Sequence, residues 1–167
     1  NEFAPTNPLS VYGKSKLAGE QFVRDLHSKF FIVRTSWVYG KHGNNFVKTM
    51  LKLAQERNEL MVVHDQVGCP TYTVDLANSI LELIQTEKYG IYHVSNSGHC
   101  SWYEFAKAIF KEAGVEIKVN PCTTKDFPRP ALRPAYSVFE HMALKLNGFS
   151  EMRNWREALK EFIIHTN

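Results

Sequence analysis

Three short, largely apolar runs constrain this chain more than any other feature. They are Phe30-Phe31-Ile32-Val33, Leu60-Met61-Val62-Val63 and Ile91-Tyr92-His93-Val94. Each is nearly continuous rather than alternating and carries β-branched residues, the pattern of a strand covered on both faces in a parallel sheet. Between them the apolar period lengthens towards that of a helix. Phe46, Val47, Met50, Leu51 and Ala54 line one helix face, and Leu76, Ile80, Leu83 and Ile84 line another. Strands alternating with helices predict an α/β fold with a largely parallel sheet.

Local signals place the remaining boundaries. Asn7 reads as a helix cap with Pro8 at the first helical position, and Tyr12, Leu17, Phe22, Val23 and Leu26 give a broken apolar stripe to about His27. Trp37 to Asn45 and Asp65 to Tyr72 read as loops. Thr73 is expected to cap a helix through about Gln85. Ser101-Trp102-Tyr103-Glu104 is a capping box whose helix closes at Gly114. Val115 to Val119 alternates as a short strand. Ser137-Val138-Phe139-Glu140 reads as a second capping box, ended by Gly148, and a last helix runs from about Asn154 to Ile164. The loop from Asn120 to Pro134 is rich in proline and basic residues, and its length suits a functional or partner-stabilised segment.

Composition excludes several classes. A net charge of +3, from 20 Lys and Arg against 17 Asp and Glu, is spread without a block of five, so no nucleic-acid partner is read. The mild positive balance suits an anionic small molecule. No apolar run reaches the length of a membrane helix. Cys69, Cys100 and Cys122 are an odd, sparse set, which predicts reduced thiols and a cytoplasmic setting. Seven histidines without HxxxH or HxxE spacing predict no metal site.

The chemistry is concentrated in Leu9-Ser10-Val11-Tyr12-Gly13-Lys14-Ser15-Lys16-Leu17-Ala18-Gly19-Glu20. Tyr12 and Lys16 stand four residues apart and share one helix face. An ammonium one turn from a phenol favours the phenolate and equips it to exchange a proton with a carbonyl oxygen. The same spacing also suits a half-buried Tyr beside a solvated Lys.

With its flanks, this run resembles the active-site helix of the extended short-chain dehydrogenase/reductase family. Arg34-Thr35-Ser36-Trp37-Val38-Tyr39-Gly40, Gly43-Asn44-Asn45-Phe46-Val47, Asp65-Gln66-Val67-Gly68-Cys69-Pro70-Thr71 and Arg133-Pro134-Ala135-Tyr136-Ser137 extend the resemblance, over almost the whole chain, to the dTDP-4-dehydrorhamnose reductases within it. That family opens on a glycine-rich dinucleotide turn, yet neither GxGxxG nor GxxGxxG occurs among the nine glycines here. The resemblance therefore implies the C-terminal part of an enzyme, a partial Rossmann-like, doubly wound parallel sheet with a C-terminal substrate-binding region. Residues 1–36 would end the dinucleotide-binding domain. Residues 37–167 would be mainly substrate-binding, with some strands returning to the Rossmann sheet.

The resemblance also implies roles. Tyr12 would donate a proton as NADPH or NADH delivers hydride to the 4-keto group of a dTDP-sugar, and Lys16 would hold the cofactor ribose. Thr35 and Ser36 would face nicotinamide or substrate. Trp37, Asn45, Gln66, Thr71 and Arg133 would form the substrate side, with Arg133 matching the pyrophosphate as a bidentate fork. Asn45 equally suits a helix cap, Arg34 a salt bridge and Asp75 the first turn of a helix. The assisting Ser or Thr of the family lies upstream of this sequence.

The isolated chain is expected not to turn over. It is expected to self-associate, as a homodimer, or to pair with a second chain carrying the N-terminal part. Some members hold Mg²⁺ at a dimer interface, and no residue here is assigned to that ion. Two other functions suit the same residues. One is a sugar-nucleotide epimerase or dehydratase. The other is a non-catalytic binding homologue resembling the regulatory β-subunit of methionine adenosyltransferase.

Overall fold

The computed structural model describes residues 1–128 and 131–166. In chain order the elements are α1 (Val11–Leu26), β1 (Phe31–Arg34), β2 (Val38–Tyr39), α2 (Phe46–Glu56), β3 (Glu59–Val63), β4 (Val67–Gly68), β5 (Thr71–Tyr72) and α3 (Thr73–Ile84). They continue with β6 (Gly90–His93), β7 (Cys100–Ser101), α4 (Trp102–Ala113), β8 (Lys118–Cys122), β9 (Tyr136–Ser137), α5 (Met142–Leu146) and α6 (Trp155–Thr166).

The expected parallel pairing is present. β1 runs parallel to β6, with Phe31 opposite Gly90 and Arg34 opposite His93. β3 runs parallel to β8, from Glu59 opposite Lys118 to Val63 opposite Cys122. Two smaller arrangements were not legible. β2 pairs parallel to β5 inside the segments read as loops. β4 lies between antiparallel β7 and parallel β9.

Several boundaries differ from the sequence reading for identifiable reasons. The cap of α1 is Ser10, whose Oγ accepts the Gly13 N–H at 3.1 Å, so the helix starts beyond Pro8 rather than at it. Thr73 is the first residue of α3 and not its cap. Thr71 and Tyr72 are held extended against β2, and the helix begins directly behind them with Asp75 in its first turn. The strand expected at Val115 begins at Lys118, because the Val115 N–H closes α4 by donating to Phe110 O at 2.9 Å. Pro121 is tolerated in β8 because that strand pairs on one side, with β3. No capping box forms at Ser137, which pairs in β9 and donates its hydroxyl to Val67 O at 3.3 Å. The capping box of Ser101 and Glu104 is formed as read, and Gly114 closes α4 in the left-handed conformation, φ 65°. Residues 129 and 130 of the Asn120–Pro134 loop lie outside the described residues.

Two apolar cores hold these elements. The larger joins α2, α4 and α6. α4 buries Phe105, Ala106, Ile109 and Phe110, and α6 buries Trp155, Ala158, Leu159, Phe162 and Ile163, the stripe of a helix facing a core. Aromatic edges interlock there: Tyr39 meets Phe162 at 5.3 Å and Phe105 meets Trp155 at 5.6 Å. The smaller core gathers Leu83, Tyr92, Val94, Leu144 and Met152, with Phe31 and Val33 of β1 packed against it. Arg153 fastens α3 to α6 by pairing with Asp75 and Glu161. This gives Asp75 the structural role its position suggested.

Candidate active site

The site is built from the end of β1 outward. A guanidinium matches a carboxylate in a bidentate fork, and Arg34 uses that fork on α1. Its Nε donates to Glu20 Oε1 at 2.8 Å and its Nη2 to Glu20 Oε2 at 2.6 Å. The Glu20 bonds hold the guanidinium above its ordinary range. The ion pair fixes the helix that carries Tyr12 and Lys16 to the strand end that leads to Trp37.

Tyr12 and Lys16 lie together as the spacing requires. Lys16 Nζ is 5.4 Å from the centroid of the Tyr12 ring. The phenol is 71% exposed, so its hydroxyl is open to a ligand. Most of the predicted stripe is exposed too: Phe22, Val23 and Leu26 face solvent, Leu17 is half-buried, and α1 has no buried residue.

Beyond Arg34 the chain turns sharply. Thr35 Oγ1 is shielded from solvent and has no hydrogen-bond partner among the described residues. Ser36 donates its hydroxyl to Cys69 O at 2.8 Å. Trp37 has φ 48°, a left-handed conformation that bulky residues rarely adopt. Such strain persists only where the surroundings over-determine it. Here Trp37 O accepts the Thr71 N–H at 3.2 Å, and the indole lies against Gly68, where a Cβ would stand 2.6 Å from the ring. Trp102 stacks on Trp37 with centroids 3.5 Å apart and planes 6° from parallel.

The paired indoles stand at a cleft. A cavity of about 300 Å³ is bounded by Trp37, Gln66, Trp102, Arg133 and Ser137. A larger one, about 710 Å³, shares Gln66, Trp102 and Arg133 and adds Phe46, Met61 and Phe127. The arrangement, aromatic walls with a few polar groups and two guanidiniums, Arg57 and Arg133, against the one carboxylate of Glu59, suits a small anionic ligand with an apolar body.

Of the expected substrate residues, Trp37, Gln66 and Arg133 thus meet at one cleft. Asn45 and Thr71 have other uses. Asn45 caps α2, accepting the Lys48 N–H at 3.1 Å, and its amide donates to Gly40 O at 2.9 Å. Thr71 is fully buried in β5, its hydroxyl 3.5 Å from Cys69 O. Trp102, Phe46 and Phe127 line the cleft without having been singled out. Trp102 carried no signal beyond following the cap residue of α4.

The comparisons with known proteins bear on this geometry. The family described as the RmlD substrate binding domain matches residues 1–167. The chain belongs to that family. It is 52% identical over 159 residues to the spore coat polysaccharide biosynthesis protein SpsK of Bacillus subtilis, covering 95% of this chain and 56% of that protein. It is 44% identical over 166 residues to a dTDP-4-dehydrorhamnose reductase of Aggregatibacter actinomycetemcomitans, covering 92% of this chain and 56% of the relative. The crystal structure of dTDP-4-dehydrorhamnose reductase from Bacillus anthracis in complex with NADP superposes with a TM-score of 0.97 at 56% identity, over 99% of this chain and 59% of that one. The chain thus spans little more than half the length of these relatives. Within the RmlD family, the Rossmann-like α/β class expected from the sequence is the class observed.

Among the described residues, no helix is long and apolar enough to cross a membrane. Among the same residues, no group of three His, Cys, Asp or Glu gathers to hold a metal ion.

Proposed function

We propose that this chain supplies the proton donor and the substrate wall of a dTDP-4-dehydrorhamnose reductase, which converts dTDP-4-dehydro-L-rhamnose to dTDP-L-rhamnose with NADPH or NADH. The observation that carries the reading is the Tyr12–Lys16 pair, an exposed phenol with an ammonium 5.4 Å from its ring centroid, on a helix fixed to β1 by Arg34. The names of the relatives support the substrate class, and the NADP complex of the Bacillus anthracis enzyme supports a nicotinamide cofactor.

The residues present fit that cofactor. Tyr12 and Lys16 offer a hydroxyl and an ammonium on one open helix face, and Thr35 Oγ1 is an unpartnered polar atom just past the carboxyl end of a parallel strand, where ligands of open α/β sheets bind. Tyr12, Lys16 and Thr35 would hold the nicotinamide riboside. When bound, the reduced cofactor supplies hydride to the ketone carbon. Tyr12 holds its hydroxyl at the ketone oxygen and gives up its proton as negative charge develops there. Lys16 stabilises the phenolate that remains. Trp37 and Gln66 orient the sugar, and Arg133 matches the pyrophosphate oxygens. Ser36, whose hydroxyl is committed to Cys69 O, acts on the cofactor side through its backbone.

The test uses the full-length protein that contains this sequence, supplied with NADPH and dTDP-4-dehydro-L-rhamnose. Stoichiometric cofactor oxidation with formation of dTDP-L-rhamnose is expected. Conversion of a sugar nucleotide without net cofactor consumption would instead favour an epimerase or dehydratase.

A further inference from the structure

The short segment from Asp65 to Gly68 holds both ends of the stretch that reaches the cleft. At the near end, Thr124 N–H donates to both carboxylate oxygens of Asp65, at 3.0 Å and 2.9 Å. The Thr124 hydroxyl donates to Asp65 Oδ1 at 2.8 Å and accepts from Gln66 Nε2 at 3.0 Å. That hydroxyl therefore has both its proton and a lone pair engaged by neighbouring residues of one segment. At the far end, Val67 N–H donates to Ala135 O at 2.8 Å, and Val67 and Gly68 pair with Tyr136 and Ser137. Between the two anchors lie Phe127 and Arg133, which line the larger cavity. A second carboxylate shapes the near end: Asp126 Oδ2 accepts from Thr123 N at 2.8 Å and from the Thr123 hydroxyl at 2.7 Å.

We infer that Asp65 is a positioning residue that acts through Thr124 and Gln66. By fixing where the stretch after β8 leaves the sheet, it sets the position of Phe127 on the cleft and so the affinity of the cleft for its sugar nucleotide. It touches no reacting atom. The inference rests on the functional reading above for the identity of the ligand. It does not rest on that reading for the anchoring itself. Gln66 also takes on a second task. Its Nε2 orders the cleft wall, while the residue as a whole lines both cavities.

The two parts separate experimentally. In the full-length protein, Asp65→Ala removes the anchor, Thr124→Val removes only its hydroxyl bonds while the Thr124 N–H still donates to Asp65, and Thr124→Ser keeps the hydroxyl. Limited trypsin digestion reads the anchor directly. Lys125 precedes Asp126 and is open to cleavage, whereas Arg129 and Arg133 precede prolines and resist it. Cleavage after Lys125, followed by the mass of the fragment ending there, is expected to speed up about tenfold in Asp65→Ala, the size of a lost charge-assisted bond of about 1.4 kcal/mol, to speed up less in Thr124→Val, and to stay near the parent rate in Thr124→Ser. In steady-state kinetics, KM for the dTDP-keto-sugar is expected to rise about tenfold in Asp65→Ala and by less in Thr124→Val, with kcat within about twofold in both. Unchanged cleavage in Asp65→Ala would overturn the anchoring. A fall in kcat at constant KM would overturn the positioning role. If the parent protein shows no reductase turnover, the functional reading fails while the cleavage rates still decide the anchoring.

Discussion

Arg34 and Glu20 form a two-bonded ion pair, 2.8 Å and 2.6 Å, between the last residue of β1 and the helix that bears Tyr12 and Lys16. Both side chains are mostly covered, at 19% and 18% exposed. α1 has no buried residue of its own, so apolar packing within this chain contributes little to its orientation. The ion pair is the polar contact that sets it. On the proposed function, it is also what aims the phenol.

Breaking that pair is therefore expected to affect catalysis and stability together. Glu20→Ala leaves a partly buried guanidinium unpaired, and removal of one partner from a covered pair is expected to cost on the order of 1–3 kcal/mol. Denaturant unfolding of the full-length protein measures that loss. The reductase kcat should fall with it, and Glu20→Gln, which retains one acceptor oxygen, should lose less of both.

Gly68 offers a second test. A methyl group there would stand 2.6 Å from the Trp37 ring, so either the indole or the β4 backbone must move. Gly68→Ala is expected to destabilise by about 1–3 kcal/mol, as overpacking does. Near-ultraviolet circular dichroism should lose the signal of the stacked Trp37–Trp102 pair, and KM for the sugar nucleotide should rise.

The parts of the fold that sequence made visible are those with enough residues to show a period. β1, β3 and β6 were legible because four apolar residues in a row at 30–33 and 60–63, and three of four at 91–94, are hard to place outside a sheet. The capping box at Ser101 was legible because it is local. β2, β4, β5 and β9 were not, since two residues carry no period and their pairing depends on segments far apart in the chain. The same limit applied to the site. Tyr12 and Lys16 belong to one helix and could be paired from spacing. Trp102 reaches the cleft only because it stacks on Trp37, a contact that nothing near Ser101 announces. Asn45 has the opposite history. Its residue type suited both ligand recognition and capping, and the cap is what the backbone of α2 takes.

Acid sensitivity follows from His93. Burial pushes its imidazole down from 6.5 to about 4. Its backbone N–H donates to Glu2 Oε1 at 2.9 Å, while its Nδ1 has no partner among the described residues. Burial lowers His141 in the same direction, beside Ser95 at 2.7 Å. Between the two values for His93 the unfolded chain binds the proton and the folded one does not, so stability must fall as pH drops from 6.5 towards about 4. Thermal unfolding followed across that range should show the decline. His93→Phe, which cannot protonate, should flatten part of it.

The account depends most directly on the phenol of Tyr12. In the full-length protein, Tyr12→Phe keeps the ring and removes the proton donor. NADPH oxidation with dTDP-4-dehydro-L-rhamnose is expected to slow by about 10²–10⁴-fold in kcat, the contribution of a positioned general acid, with little change in thermal stability. A Tyr12→Phe protein that reduces the keto-sugar at the parent rate would contradict the assignment.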